Sequence, residues 1–135
     1  MRCYVLCVMD PSGKAQLIFI VDDDESVRVA VQGVLRSVGF ETQAFSSAAQ
    51  LLEAPRRNDA VCLIADVQMP GTSGLELQMQ LIEEGSRTPV IFITAFDGPN
   101  VRRQALKAGA VAMLGKPFDD TVLIETVRGA IRTDT

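Results

Sequence analysis

The chain predicts an α/β fold, a five-stranded parallel sheet wound with helices on both faces. Three observations carry this. Five short runs of strand length recur along the chain, most of them apolar. Segments with apolar residues at three- and four-residue spacing lie between them. Strands that alternate with helices of ten or so residues build parallel units whose crossovers are right-handed in nearly all cases.

The first run, Leu17–Val21, is apolar throughout and rich in β-branched and aromatic residues, the pattern of a buried strand. Val27, Ala30, Val31, Val34, Leu35 and Val38 then form one helical stripe, with Asp24 suited to cap its start and Gly39 to end it. Glu41–Phe45 reads as the second strand, and Ser47–Ala54 as a short helix stopped by Pro55. The third strand is Ala60–Ala65. Ser73 with Glu76 fits a capping box for a third helix through Glu84, which Gly85 ends. Val90–Thr94 is the fourth strand, followed by an Ala-rich helix over Pro99–Ala108 and by Gly109. Ala110–Leu114 is the fifth strand. Asp119 or Asp120 caps a last helix to about Arg132, with Leu123, Val127, Ala130 and Ile131 on one face. Residues 1–14 read as an appended arm, and residues 15–135 as one domain without internal repeats or linkers.

Composition narrows the function classes. At 135 residues, with 47% hydrophobic and 22% charged, the chain can bury a core without disulfide or metal staples. Its 13 basic and 17 acidic residues, net −4, argue against sequence-independent nucleic-acid binding, which needs a basic surface. Cys3, Cys7 and Cys62 are an odd set, and the chain has no His to complete a zinc site. Reduced thiols, with Cys62 in the core, are the expectation. Asp10-Pro11-Ser12-Gly13-Lys14 breaks the amino-terminal apolar stretch too early for a signal peptide, and no apolar segment reaches membrane-spanning length. A cytoplasmic protein is expected.

In open α/β sheets, sites form outside the carboxyl ends of the strands. Asp22, Asp23 and Asp24 follow the first strand directly. Carboxylates this close repel one another unless a cation or hydrogen-bond donors compensate, and hard divalent cations such as magnesium take oxygen ligands of this kind. Asp66 follows the third strand and leads into Val67-Gln68-Met69-Pro70-Gly71. The fourth strand ends in Thr94-Ala95, and the fifth leads through Gly115 to Lys116-Pro117-Phe118. Acids, a hydroxyl and a lysine thus converge on one sheet edge. Asp24 reads as a helix cap and is left out of the site, and the Met69-Pro70-Gly71 turn as structural.

Val21-Asp22-Asp23, Asp66-Val67-Gln68-Met69-Pro70-Gly71, Thr94-Ala95 and Lys116-Pro117-Phe118, in this order and each at a strand end, resemble the receiver domain of two-component response regulators. The resemblance covers roughly residues 17–132. It implies a flavodoxin-like (βα)5 three-layer sandwich with strand order 2-1-3-4-5. It also implies a signalling module rather than an enzyme, phosphorylated by a sensor histidine kinase or phosphotransfer protein. Asp66 would be the phosphoacceptor. Asp23 would bind Mg2+ directly, with Asp22 assisting, and Asp66 and the Gln68 backbone carbonyl would complete the metal site. Thr94 would hydrogen-bond a phosphoryl oxygen. Lys116 would pair with the phosphate and, before phosphorylation, with Asp66; Pro117 would follow a cis bond. The fourth and fifth helices would form the output face, and a homodimer through them is compatible with this reading.

The segments Thr94-Ala95-Phe96-Asp97 and Gly109-Ala110-Val111 look most like receivers attached to helix-turn-helix transcription factors. The expectation is therefore a single-domain regulator or a piece of a longer one. Three positions depart from the family's pattern or tune it. Met113 stands three residues before Lys116, where most receivers carry an aromatic switch residue, which implies a muted or differently transmitted switch. Gln68 and Phe96, two residues after Asp66 and Thr94, sit where receivers tune loss of the phosphoryl group, and Phe96 at the site mouth would exclude attacking water and slow that loss. Two alternatives compete. One is a pseudo-receiver that binds a partner without phosphate chemistry. The other is a haloacid-dehalogenase-like phosphatase with Asp22 of Asp22-Asp23-Asp24-Glu25-Ser26 as nucleophile.

Overall fold

A computed structural model describes residues 16–54, 59–69, 71, 73–95 and 98–134, with side chains of the last helix described as far as residue 131. The expected arm, Cys3, Cys7, Pro55, Pro70, Phe96 and Asp97 lie outside the described residues. Five strands, β1 (Leu17–Val21), β2 (Glu41–Phe45), β3 (Cys62–Asp66), β4 (Val90–Thr94) and β5 (Ala112–Gly115), alternate with five helices. The helices are α1 (Glu25–Ser37), α2 (Ala48–Leu52), α3 (Gly74–Glu83), α4 (Pro99–Lys107) and α5 (Asp120–Asp134). All strand pairs are parallel, in the order β2-β1-β3-β4-β5.

The three central strands β1, β3 and β4 are buried along their whole length, because both faces are covered. One core layer joins Phe19, Leu63 and Phe92 to Leu51, Leu77, Leu81 and Ala105. The other joins Ile18, Ile20, Ile64, Ile91 and Ile93 to Val31, Leu35, Leu123 and Val127. Alternate residues of each strand thus feed opposite layers, so one strand residue out of register would invert both cores. β2 carries Glu41, exposed, at one end and Phe45, buried, at the other, as an edge strand does. Phe45 meets Phe19 edge to face at 5.3 Å.

The helix ends follow the local chemistry. The Asp24 carboxylate accepts the Ser26 N–H at 2.8 Å, which caps α1. Both arms of the Ser73–Glu76 box are present at α3. Gly39, Gly85 and Gly109 take positive φ just past α1, α3 and α4. Two strands differ from the expected spans. β3 runs through Asp66, so the acid is the last strand residue and not the first loop residue. β5 begins at Ala112 because the Ala110 N–H is still bonded to the Ala105 carbonyl at the end of α4.

Candidate phosphoacceptor site

The order β2-β1-β3 against β3-β4-β5 reverses direction at β1 and β3, which opens a crevice at their carboxyl ends. Asp22 leaves β1 there and Asp66 closes β3. The β1–β3 register pairs Val21 with Ala65, so Asp22 and Asp66, the next residue on each side, stand side by side. Lys116 arrives from β5, its N–H bonded to the Thr94 carbonyl at 2.7 Å, and its bond to Pro117 is cis.

One ammonium joins the two acids. Lys116 Nζ donates to Asp22 Oδ2 and to Asp66 Oδ2, both at 2.9 Å. The remaining carboxylate oxygens are held by backbone. Asp22 Oδ1 accepts the Asp24 N–H at 2.8 Å, and Asp66 Oδ1 accepts the Gln68 N–H at 2.9 Å. Arg28 Nη1 donates to the Asp22 carbonyl at 2.6 Å, fixing the β1–α1 turn from the helix side. Asp22 is fully buried and Asp66 nearly so, whereas Asp23 is exposed.

Burial pushes the Asp66 carboxyl above its ordinary range and the Asp22 charge adds to this, although Lys116 and the Gln68 N–H pull the other way. Burial also works against the Lys116 ammonium. Its bonds to Asp22 and Asp66 outweigh that and hold it above an ordinary lysine. One ammonium thus serves two buried carboxyl groups.

Carboxylate oxygens of Asp22, Asp23 and Asp66 lie within 4.8 Å of one another. All are hard oxygen donors, and one of the three faces solvent, so the donor set fits a magnesium ion entering from outside. Thr94 is fully buried at the end of β4, in register with Gly115 next to the lysine. Of the residues expected from sequence, Asp22, Asp66 and Lys116 touch directly, Asp23 completes the acid cluster, and Gln68 joins through its N–H.

Two features were not legible in sequence. Lys116 is shared with Asp22, across 94 residues of chain, and not bound to Asp66 alone. Arg28 has the spacing of an ordinary surface residue of an amphipathic helix, so nothing in sequence marks its bond to the Asp22 carbonyl. The phosphatase alternative reads Asp22-Asp23-Asp24-Glu25-Ser26 as one catalytic motif. Here Asp24 is engaged as the cap of α1, its carboxylate accepting the Ser26 N–H.

Known proteins of one family resemble this chain in sequence and fold. The family model "Response regulator receiver domain" matches residues 18–128. The response regulator protein TodT of Pseudomonas putida strain F1 is 40% identical over 121 residues, which are 90% of this chain and 53% of that protein. The chain thus spans about half the length of the curated relatives it matches. Among solved structures, a response regulator receiver protein from Burkholderia phymatum is 43% identical with a TM-score of 0.76, covering 87% of this chain and 95% of the other. FixJ-N is 37% identical with a TM-score of 0.79, covering 88% and 95%.

Proposed function

Because this chain belongs to the response regulator receiver family, we propose that Asp66 accepts a phosphoryl group from the histidine of a kinase or phosphotransfer partner. The observation that carries this reading is the single lysine bridging two buried acids, with an exposed third acid beside them.

An Asp66 carboxylate oxygen forms the bond to phosphorus as the phosphorus–nitrogen bond to the donor imidazole breaks, its electron pair staying with the nitrogen. The Gln68 N–H holds one Asp66 oxygen and so presents the other. Lys116 gives up Asp66 to meet the incoming phosphoryl oxygens and stays anchored through Asp22. The Thr94 hydroxyl donates to a further phosphoryl oxygen. Asp23, Asp66 and the Gln68 carbonyl would hold magnesium, with Asp22 behind them. The metal supplies neutralisation of the charge that gathers on the transferring group.

Phosphorylation adds charge at the end of β3, which biases a surface on α4, β5 and α5 toward a second arrangement. Leu106, Val111 and Val122 are exposed there. That surface would meet an output domain, a downstream protein or a second copy. A cytoplasmic setting suits this role, and no described helix is long and apolar enough to cross a membrane.

The test uses acetyl phosphate with magnesium, followed by intact mass. One phosphoryl group is expected on the wild type, and none on Asp66→Asn or without magnesium. No adduct on a folded, magnesium-binding protein would favour the phosphate-independent binding module. An adduct on Asp66→Asn that is lost in Asp22→Asn would favour the phosphatase.

A further inference from the structure

Gly74 opens α3 and is buried against the backbone of Asp66. A Cβ at residue 74 would overlap the Asp66 carbonyl oxygen, far inside the 3.0 Å that real side chains keep. It would also stand 3.0 Å from the Asp66 carbonyl carbon and 3.1 Å from Phe92 Cε1. Phe92 has no room to yield, being fully buried in the core. Two of these three neighbours are backbone atoms of the acid that carries the chemistry. The Gly74 N–H donates to the Val67 carbonyl at 3.1 Å, and the Val67 N–H to the Ile93 carbonyl at 3.0 Å. Residues 66–68 are thereby held from both sides, by α3 and by β4.

The φ of Gly74 is not in the left-handed region, so backbone conformation does not demand glycine here. Nor does capping, which Ser73 performs. Space against the Asp66 backbone, with Phe92 behind it, is the requirement that remains.

We propose that Gly74 is a positioning residue for the phosphoacceptor: its missing side chain lets the start of α3 press on the Asp66 backbone and set the acid and the Gln68 N–H. This rests on the reading of Asp66 as the phosphoacceptor. Relieving the overlap in Gly74→Ala moves one backbone against the other by something on the order of 0.5–1 Å, and misplacement of that size costs up to about 100-fold in rate.

The test compares Gly74→Ala with Gly33→Ala, which lies on the exposed face of α1 and meets nothing within 4 Å. Three readouts are taken on each: backbone amide shifts of residues 66–68 in the metal-free protein, magnesium affinity, and the acetyl phosphate rate. Gly74→Ala should move the three amides, weaken magnesium roughly tenfold or more and slow phosphorylation by about 10- to 100-fold. Gly33→Ala should leave all three as in the wild type. If the Gly74→Ala amides, affinity and rate match wild type, the proposal is overturned while the phosphoacceptor reading stands. If the wild type takes no phosphoryl group, that reading fails, and the metal-free amide shifts still decide the positioning. Should Gly74→Ala be unfolded, the measurements are repeated in the Gly33→Ala background with trimethylamine N-oxide, which strengthens burial. A chain that stays unfolded even then makes residue 74 a packing requirement and overturns the proposal.

Discussion

Replacing Lys116 by Met keeps most of the side chain's length and removes its charge, which isolates what the ammonium does. In the wild type it faces Asp22, whose side chain is 0% exposed, and Asp66, 9% exposed, while its own side chain is 19% exposed. Removing one partner from a buried ion pair costs about 3–5 kcal/mol, because the remaining charge has neither water nor a counter-ion. The partial exposure of Lys116 puts the expected loss near the lower end, about 3 kcal/mol. For a domain of this size that is roughly 12 °C in melting temperature. The assay is urea unfolding at neutral pH in chelator. The Lys116 ammonium is held above an ordinary lysine, so its contribution is present through neutral pH and lost only as pH rises through that raised value in alkali. The gap to wild type should narrow in acid, where Asp66 takes up its proton earlier than an ordinary carboxyl. Magnesium at about ten times its dissociation constant adds about 1.4 kcal/mol. It should add more to the variant, whose acids have lost their only bonded cation among the described residues. A loss below about 1 kcal/mol would refute the reasoning, since that is the worth of a solvated surface pair. Lys107→Met, on the exposed face of α4, is the control.

Asp66→Asn should be more stable than wild type at neutral pH in chelator, read as a higher urea midpoint. Burial raises the folded-state pKa of Asp66, so its stabilising protonated form is complete below the unfolded pKa and is lost as pH rises through the folded one; the advantage of Asn should vanish in acid. Magnesium should reverse the order of the two proteins, because only the wild type keeps that ligand. Asp23→Asn should change stability in chelator by less than about 0.5 kcal/mol, since Asp23 is exposed, yet weaken magnesium by about tenfold or more in a calorimetric titration. Ser73→Ala removes the hydroxyl that accepts the Glu76 N–H, and should cost about 1 kcal/mol in urea unfolding.

Much of the molecule was legible along the chain. β1 and β4 matched residue for residue, because a strand covered on both faces must be apolar throughout and few other segments are. The caps at Asp24 and Ser73 were legible because capping is chemistry between residues two or three apart. The acids, the threonine and the lysine could be placed at one edge because parallel strands all end on the same side. What a linear reading could not decide was how adjacent, chemically identical groups divide the work. Asp22 and Asp23 look alike in sequence. The turn after β1 buries one against Lys116 and leaves the other in solvent. The lysine's second partner and the grip of Arg28 on the Asp22 carbonyl depend on how β1, β5 and α1 pack. Gly74 gives no chemical signal at all; its role exists only where a helix start meets the backbone of a strand 8 positions earlier in the chain. Local periodicity and capping therefore determined the elements and their order. Tertiary packing decided which carboxylate is buried, which cation it shares and how closely the backbone around Asp66 is held, because each of those depends on how separate elements are set against one another in space.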